Sequence, residues 1–315
     1  MQAYLLYNEG GKDSELIIAF HHALIDAASA RLLLHELLCL LGELPLSSPA
    51  ALAKSRFPIA YRGLRLIRNL MPMMRRQMKE MRQYKKYGLS APIPSSPITA
   101  TLSFQFSKET SQGLIRKIAR LRLSLNSVIL AAIAMTTSKR LYEVKEEKRI
   151  RLITFAALRS KLLPPLENEE LGCYTSMLRL NVPFHPDQSL PELAKEIQSA
   201  TIQASKRGEL FLMAFLSKYL VKLTMKTKKE RLGIAALSFI GKLELASTYG
   251  NLELKQLETY ISNNPLGPQF SAFGKILFGQ IGLDFIYLSA EIKKEEAETI
   301  VNEIKQLMES LLENS

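Results

Sequence analysis

The sequence has no tryptophan, only two cysteines and four histidines, and no long apolar run, and each shortage excludes something. Cys39 and Cys173 cannot supply a disulfide framework, so burial has to hold the chain together, and a reducing cytoplasm is the expected compartment. The longest apolar run, Val128 to Met135, falls well short of the ~18 residues that a membrane-crossing helix needs. Met1 to Gly11 lacks the basic and apolar regions of a secretory leader. No metal site is expected, because His35 and His185 are distant in sequence from His21 and His22 and no cysteine cluster accompanies any of them. Acidic residues are also in deficit, 30 against 42 Lys and Arg, but the imbalance is local. Between Lys54 and Ser90 eleven basic residues face the single acid Glu80, and the remaining chain is nearly neutral. This pattern excludes a broad nucleic-acid-coating face and points to one basic element.

What is present is an ordinary globular composition, 47% hydrophobic and 23% charged over 315 residues, enough for two lobes. Near the front, Leu16 to Phe20 is continuously apolar and reads as a strand buried on both faces. Ala27 to Leu41 reads as a helix with Leu33, Leu37 and Leu40 on one face, stopped at Gly42 and followed by Pro45. His21, His22 and Asp26 fall at the turn between them, the carboxyl end of a strand, where α/β sheets open a crevice. Histidine, with an unperturbed pKa of ~6.5, can take and return a proton there. Two readings stand side by side: a catalytic trio, or two hydrogen-bonded histidines followed by an aspartate that caps the helix. His35 and His185 read as structural.

Further along, Leu64, Ile67, Met71, Met74, Met78 and Met81 recur every three or four residues, an apolar stripe on a helix whose other faces are basic and which Pro72 should kink. Such a helix either packs its stripe on the protein as a linker or lies on an acidic partner: an anionic membrane surface, an acidic carrier protein or coenzyme A phosphates. Ala91 to Pro97, rich in Pro and Ser, is the expected boundary, which divides the chain into residues 1–55, the basic helix and linker 56–97, and a C-terminal lobe 98–315. Beyond it come a strand Thr99 to Phe106, helices capped by Ser107 and Asn126, and strands Ile150 to Ala157 and Met177 to Val182. A capping box at Ser189 opens a helix closed by Gly208, and an apolar helix Gly208 to Thr224 follows. The chain then continues with a strand Ile234 to Gly241, paired strands around Gly279, and a closing helix Lys294 to Leu312.

The trio His21-His22-x-x-x-Asp26 resembles the HHxxxDG motif of the chloramphenicol acetyltransferase-like acyltransferases, which include condensation domains, alcohol O-acyltransferases and polyketide-associated acyltransferases. The layout around Ser124-Leu125-Asn126, Arg159, Gly172 and Ser238-Phe239-Ile240-Gly241 is similar to that family along nearly the whole chain, although Ala27 stands where the family has Gly and Phe239 where it has Asn. The resemblance implies an α/β fold with mixed sheets in two lobes, the first lacking the residues that precede this strand in family members, and a site in the cleft between them. His22 would be the general base, with His21 beside it, and Asp26 would pair with Arg159 to hold the turn. Ser238 and Gly241, with Arg159, would border the substrate. No tightly bound cofactor is implied; the donor would be acyl-CoA or a phosphopantetheinyl carrier protein, and the acceptor an alcohol, lipid or amine. Two other readings remain open: a truncated, inactive lobe used for binding, its first lobe completed by an upstream polypeptide, or a peripheral membrane protein acting through the basic helix.

Overall fold

A computed structural model describes residues 2–7, 10–11, 13–46, 55–87, 98–166, 170–227, 231–261 and 267–313. In chain order these form β1 (Gln2–Tyr7), β2 (Ser14–Ala19), α1 (Ala27–Leu41), α2 (Gly63–Tyr87), β3 (Thr99–Gln105), α3 (Lys108–Arg120), α4 (Leu125–Arg140), β4 (Lys148–Ala157) and β5 (Thr175–Phe184). They continue with α5 (Leu190–Lys206), α6 (Glu209–Thr227), β6 (Ala235–Lys242), β7 (Thr248–Tyr249), β8 (Leu252–Glu253), β9 (Phe270–Leu277), β10 (Gln280–Leu288) and α7 (Lys294–Glu313). The Pro and Ser stretch at 91–97 and the side chain of Met81 lie outside the described residues.

The chain divides into two units. The first joins Met1–Phe57 to two later pieces, Ala157–Thr175 and Leu245–Leu254, so the turn after β2 shares a unit with Arg159 and Gly172. Its strands β1 and β2 form an antiparallel hairpin from Gln2↔Ala19 to Tyr7↔Ser14. The sequence leads one to expect a strand buried on both faces here, and the structure corrects this. Every residue of β1 is exposed, and in β2 only Leu16 and Ile18 are half-buried while Ile17, on the opposite face, is exposed. Among the described residues β1 is the one strand that pairs with β2. Apolarity supplied the strand propensity, but among those residues no second layer closes over the hairpin. The small β7–β8 hairpin instead packs on α1, where Gly42 is required because a Cβ would lie 2.3 Å from the Tyr249 carbonyl oxygen. His35 is indeed structural: its Nδ1 bonds the hydroxyl of fully buried Tyr249 at 3.0 Å.

The second unit holds a six-stranded mixed sheet in the order β3-β10-β9-β6-β4-β5. β3, β10 and β9 run antiparallel, while β9, β6 and β4 run parallel. Phe106, Phe184, Phe270 and Phe285 are fully buried, and α4 packs against α5, α7 and β6 with every residue from Ser127 to Ser138 buried. That all-round burial is why α4 lacks a polar face. Its cap is Ser124, whose side chain accepts from the Ser127 amide, and not Asn126, which donates to Thr154 at 3.2 Å. The capping box at Ser189 forms as its sequence suggests, and of the expected α7 face Ala297, Ile300, Ile304 and Leu311 are buried while Leu307 is half-buried, with Val301 and Met308 buried in addition. No single helix among the described residues is long and apolar enough to cross a membrane.

Candidate functional site

Asp26 organises the turn. Its backbone is extended, its side chain caps α1 by accepting from the Ser29 amide at 3.0 Å, and the same carboxylate meets Arg159 from the short helical turn after β4. Capping and ion pairing therefore coexist in one residue. Arg159 Nε donates to Oδ2 at 3.0 Å and Nη2 to Oδ1 at 2.9 Å, a fork that Lys could not make, and the Tyr174 amide adds a bond to Oδ2 at 3.0 Å. Nη1 donates to the Glu170 carbonyl at 2.8 Å and Nη2 also to Ser29 Oγ at 2.8 Å. Ser29 closes the network, accepting from the Gly172 amide and donating to the Gly172 carbonyl, both at 2.9 Å. Asp26 and Arg159 are each 4% exposed. Burial alone would raise the Asp26 carboxyl, but the Arg159 side chain and the Ser29 and Tyr174 amides outweigh it and hold it below the usual carboxylate range. Arg159, expected beside the substrate, has its guanidinium spent on these protein groups.

Ser29, Glu170 and Tyr174 are members of this network to which the sequence assigns no role. A serine three residues after an N-cap aspartate is a weak signal, and the two carbonyls at 170 and 172 carry none, because any residue type supplies a carbonyl. Ala27 is the first residue of α1 and has no positive φ, so replacing a glycine there leaves the turn unstrained.

The two histidines differ in their bonds. His22 Nδ1 lies 2.9 Å from the Ile25 carbonyl oxygen. A carbonyl can only accept, so Nδ1 carries a proton and, in the neutral ring, Nε2 keeps its lone pair. His21 Nδ1 instead accepts from the Ala23 amide at 3.2 Å, which puts the proton of the neutral ring on Nε2. Both residues are exposed. The Ile25 carbonyl adjoins the amide of Asp26, which is itself tied to the Gly172 carbonyl at 3.0 Å, so the ion-pair network positions the acceptor that orients His22. Ser238 and Gly241 belong to the second unit, on β6, where a bulge falls between Phe239 and Gly241. Phe239 lies over Gly274 of the neighbouring strand, where an added Cβ would be 2.6 Å from its ring, so this side chain is accommodated by a missing one.

The family model described as the phthiocerol/phthiodiolone dimycocerosyl transferase C-terminus matches residues 95–275, more than half of the chain. The chain belongs to this family. No curated protein matches it in sequence. Among solved structures it is similar to polyketide synthase associated protein 5 from Mycobacterium tuberculosis, with a TM-score of 0.69 and 16% identity over 98% of this chain and 76% of that one. It is also similar to TRI3 trichothecene 15-O-acetyltransferase from Fusarium sporotrichioides, with a TM-score of 0.70 and 13% identity over 91% of this chain and 64% of that one. The epimerization domain of tyrocidine synthetase B gives a TM-score of 0.64 at 14% identity, over 95% of this chain and 69% of that one. The fold is thus the mixed α/β fold of the chloramphenicol acetyltransferase-like acyltransferases and condensation domains.

Proposed function

We propose that this family member is an acyltransferase that moves an acyl group from a coenzyme A or carrier-protein thioester to a hydroxyl or amine, with His22 as general base. The observation that carries the reading is the bond from His22 Nδ1 to the Ile25 carbonyl, which leaves an exposed Nε2 lone pair at a turn fixed by Asp26 and Arg159. In the proposed step Nε2 takes the acceptor proton as the acceptor oxygen or nitrogen bonds to the thioester carbonyl carbon. The tetrahedral intermediate then collapses, the carbon–sulfur bond breaks, and the imidazolium returns the proton to the leaving thiolate. Asp26 touches no reacting atom and acts as a positioning residue. Family membership and the names of the similar proteins favour a polyketide or lipid alcohol as acceptor.

The test is thiol release from acyl-CoA and acyl-carrier thioesters with a panel of alcohols and amines. His22→Ala is expected to slow transfer by ~10² to 10⁴ without shifting the melting temperature. Retained turnover would reject His22 as the base.

The exposed β1–β2 hairpin favours a second reading, in which the first unit needs another polypeptide to pair with its strands and the chain alone serves as a binding lobe. Turnover that appears only when a second polypeptide that pairs with the hairpin is supplied would support it, and full turnover by a monomer of this chain would reject it.

A further inference from the structure

Helix α2 carries more apolar surface than it uses. It docks in the second unit through Leu66, Leu70 and Met73, which pack with Tyr61, Leu212, Met213 and Leu216, and Met73 is only 2% exposed. The recurring stripe noted in the sequence is a different set. Leu64 is 85% exposed, Ile67 57%, Met71 48%, Met74 43% and Met78 51%. At ~100° per residue these five fall within about a quarter of the helix circumference, beside the docked face and not on it. On the far side of the stripe come Arg65, Arg68, Arg75, Lys79 and Arg82, all exposed. The polar residues at the docked edge are engaged internally: Arg76 pairs with Glu209, Gln77 accepts from Arg179 at 2.6 Å, and the only acid of the helix, Glu80, is half-buried among Glu209, Arg179 and Arg207. Charge and apolarity are therefore sorted around the axis, with no acid on the outward side.

We infer that the outward side of α2 is a membrane-docking surface that lays the Leu64-Ile67-Met71-Met74-Met78 stripe into the headgroup boundary of an anionic lipid bilayer. The five flanking cations are the charge complement: long Arg and Lys stems extend along apolar surface while their heads reach the phosphates. A neutral surface would gain the apolar contact but not the electrostatic one, and the helix lies on the bilayer without crossing it, in keeping with its alternation of apolar and charged residues. An acidic protein partner would use the same cations, but the continuous thioether-rich stripe beside them fits fluid acyl chains. The inference is independent of acyl transfer, because its readout is binding alone.

The test is flotation of the full chain with phosphatidylcholine vesicles and with vesicles containing phosphatidylglycerol. Binding is expected only to the second, weakening as salt shortens the screening length. Arg68→Gln with Arg75→Gln and Lys79→Gln should weaken that binding roughly a hundredfold, at about fivefold for each cation. Ile67→Ser with Met74→Ser should weaken binding even at low salt, and all these positions are exposed, so circular dichroism and melting should match the parent. Equal binding of parent and variants, or no binding to either vesicle, would overturn the inference. Capture of an acidic carrier protein by the parent but not by the triple Gln variant, with no vesicle binding, would also overturn it, in favour of protein docking.

Discussion

Asp26 in the first unit and Asp284 in the second are both almost fully buried carboxylates paired with a cation, yet their acidities shift in opposite directions. Asp26 receives the Arg159 fork and two backbone amides, and these outweigh its burial. Asp284 pairs with Lys275 and accepts from the Thr259 amide at 2.8 Å and Ser103 Oγ at 3.2 Å. Burial, with Glu258 nearby, still pushes its carboxyl above the usual range. Burial raises both carboxyls, and the donors decide whether it is offset: at Asp26 a planar fork and two amides outweigh it, whereas at Asp284 the Lys275 ammonium, a point charge, does not. Asp26 thus sits in a closed network that holds the turn before α1, and Asp284 in an open one beside a cavity of about 270 Å³ lined in part by Ser103, Glu258 and Lys275.

The largest expected effect tests the closed network. Arg159→Ala leaves the Asp26 carboxylate buried without its cation and should cost about 3 to 5 kcal/mol in urea unfolding, with loss of transfer because the Ile25 carbonyl is no longer held. The double variant with Asp26→Ala should lose less than the sum of the two single losses. Additive losses would mean that the capping bond and the ion pair act separately. Lys275→Met is the matching change in the second unit and should cost less, about 1 to 3 kcal/mol, because Asp284 can take up a proton once its cation is gone. Equal losses at the two sites would break the comparison.

Acid titration sharpens it. Asp26 has a folded value below the unfolded ~3.9, so its contribution is present above ~3.9 and is lost as pH falls through the lower folded value. Asp284 has a folded value above the unfolded one, so the folded chain holds a proton that the unfolded chain has released. Its contribution is full below ~3.9 and is lost as pH rises through the raised value. Asp284→Asn should therefore make stability climb more steeply with pH above ~3.9 than in the parent, as read from urea midpoints over a pH series. An unchanged slope would show that this carboxyl titrates alike in both states.

How much of this was legible follows the same division. The turn was readable, because His21, His22 and Asp26 are adjacent in sequence and a cap position is a local property. The core of the second unit was readable as well, since the periodicity of α7 and the turn at Gly279 between β9 and β10 are written in neighbouring residues. What failed was burial that depends on a partner layer. Leu16 to Phe20 carries the pattern of an inner strand, yet β2 stands in an exposed hairpin, and of the two readings open for the Met stripe of α2, packing or an outward face, periodicity alone could not choose, since the helix docks by another set of residues. Hydrophobicity reports what can be buried; which side finds a neighbour is decided by distant chain. The Lys275–Asp284 pair, nine residues apart on neighbouring strands, gave no sign in sequence because alternating strand positions carry charges as often for solvent as for each other.

The smallest effects come from the two serines. Ser29→Ala removes the hydroxyl's bonds with Arg159 and with the Gly172 amide and carbonyl and leaves the half-buried Gly172 amide without its acceptor, while the Gly172 carbonyl keeps the Asp26 amide, so a loss of about 1 to 3 kcal/mol is expected. Ser103→Ala should lose less, about 0.5 to 1 kcal/mol. Its hydroxyl gives Asp284 a single bond of 3.2 Å and shares another with Tyr260 at 2.7 Å, and Ser103 itself is exposed at the cavity wall. Water entering that cavity can donate to Asp284 Oδ1 in place of the hydroxyl. Tyr260, whose hydroxyl is pushed up to about 12 chiefly by burial, stays protonated and keeps its bond to Glu258, so the neighbouring groups need no rearrangement. Urea midpoints of the two variants at neutral pH decide the matter: a Ser103→Ala loss as large as that of Ser29→Ala would show the second network to be as closed as the first.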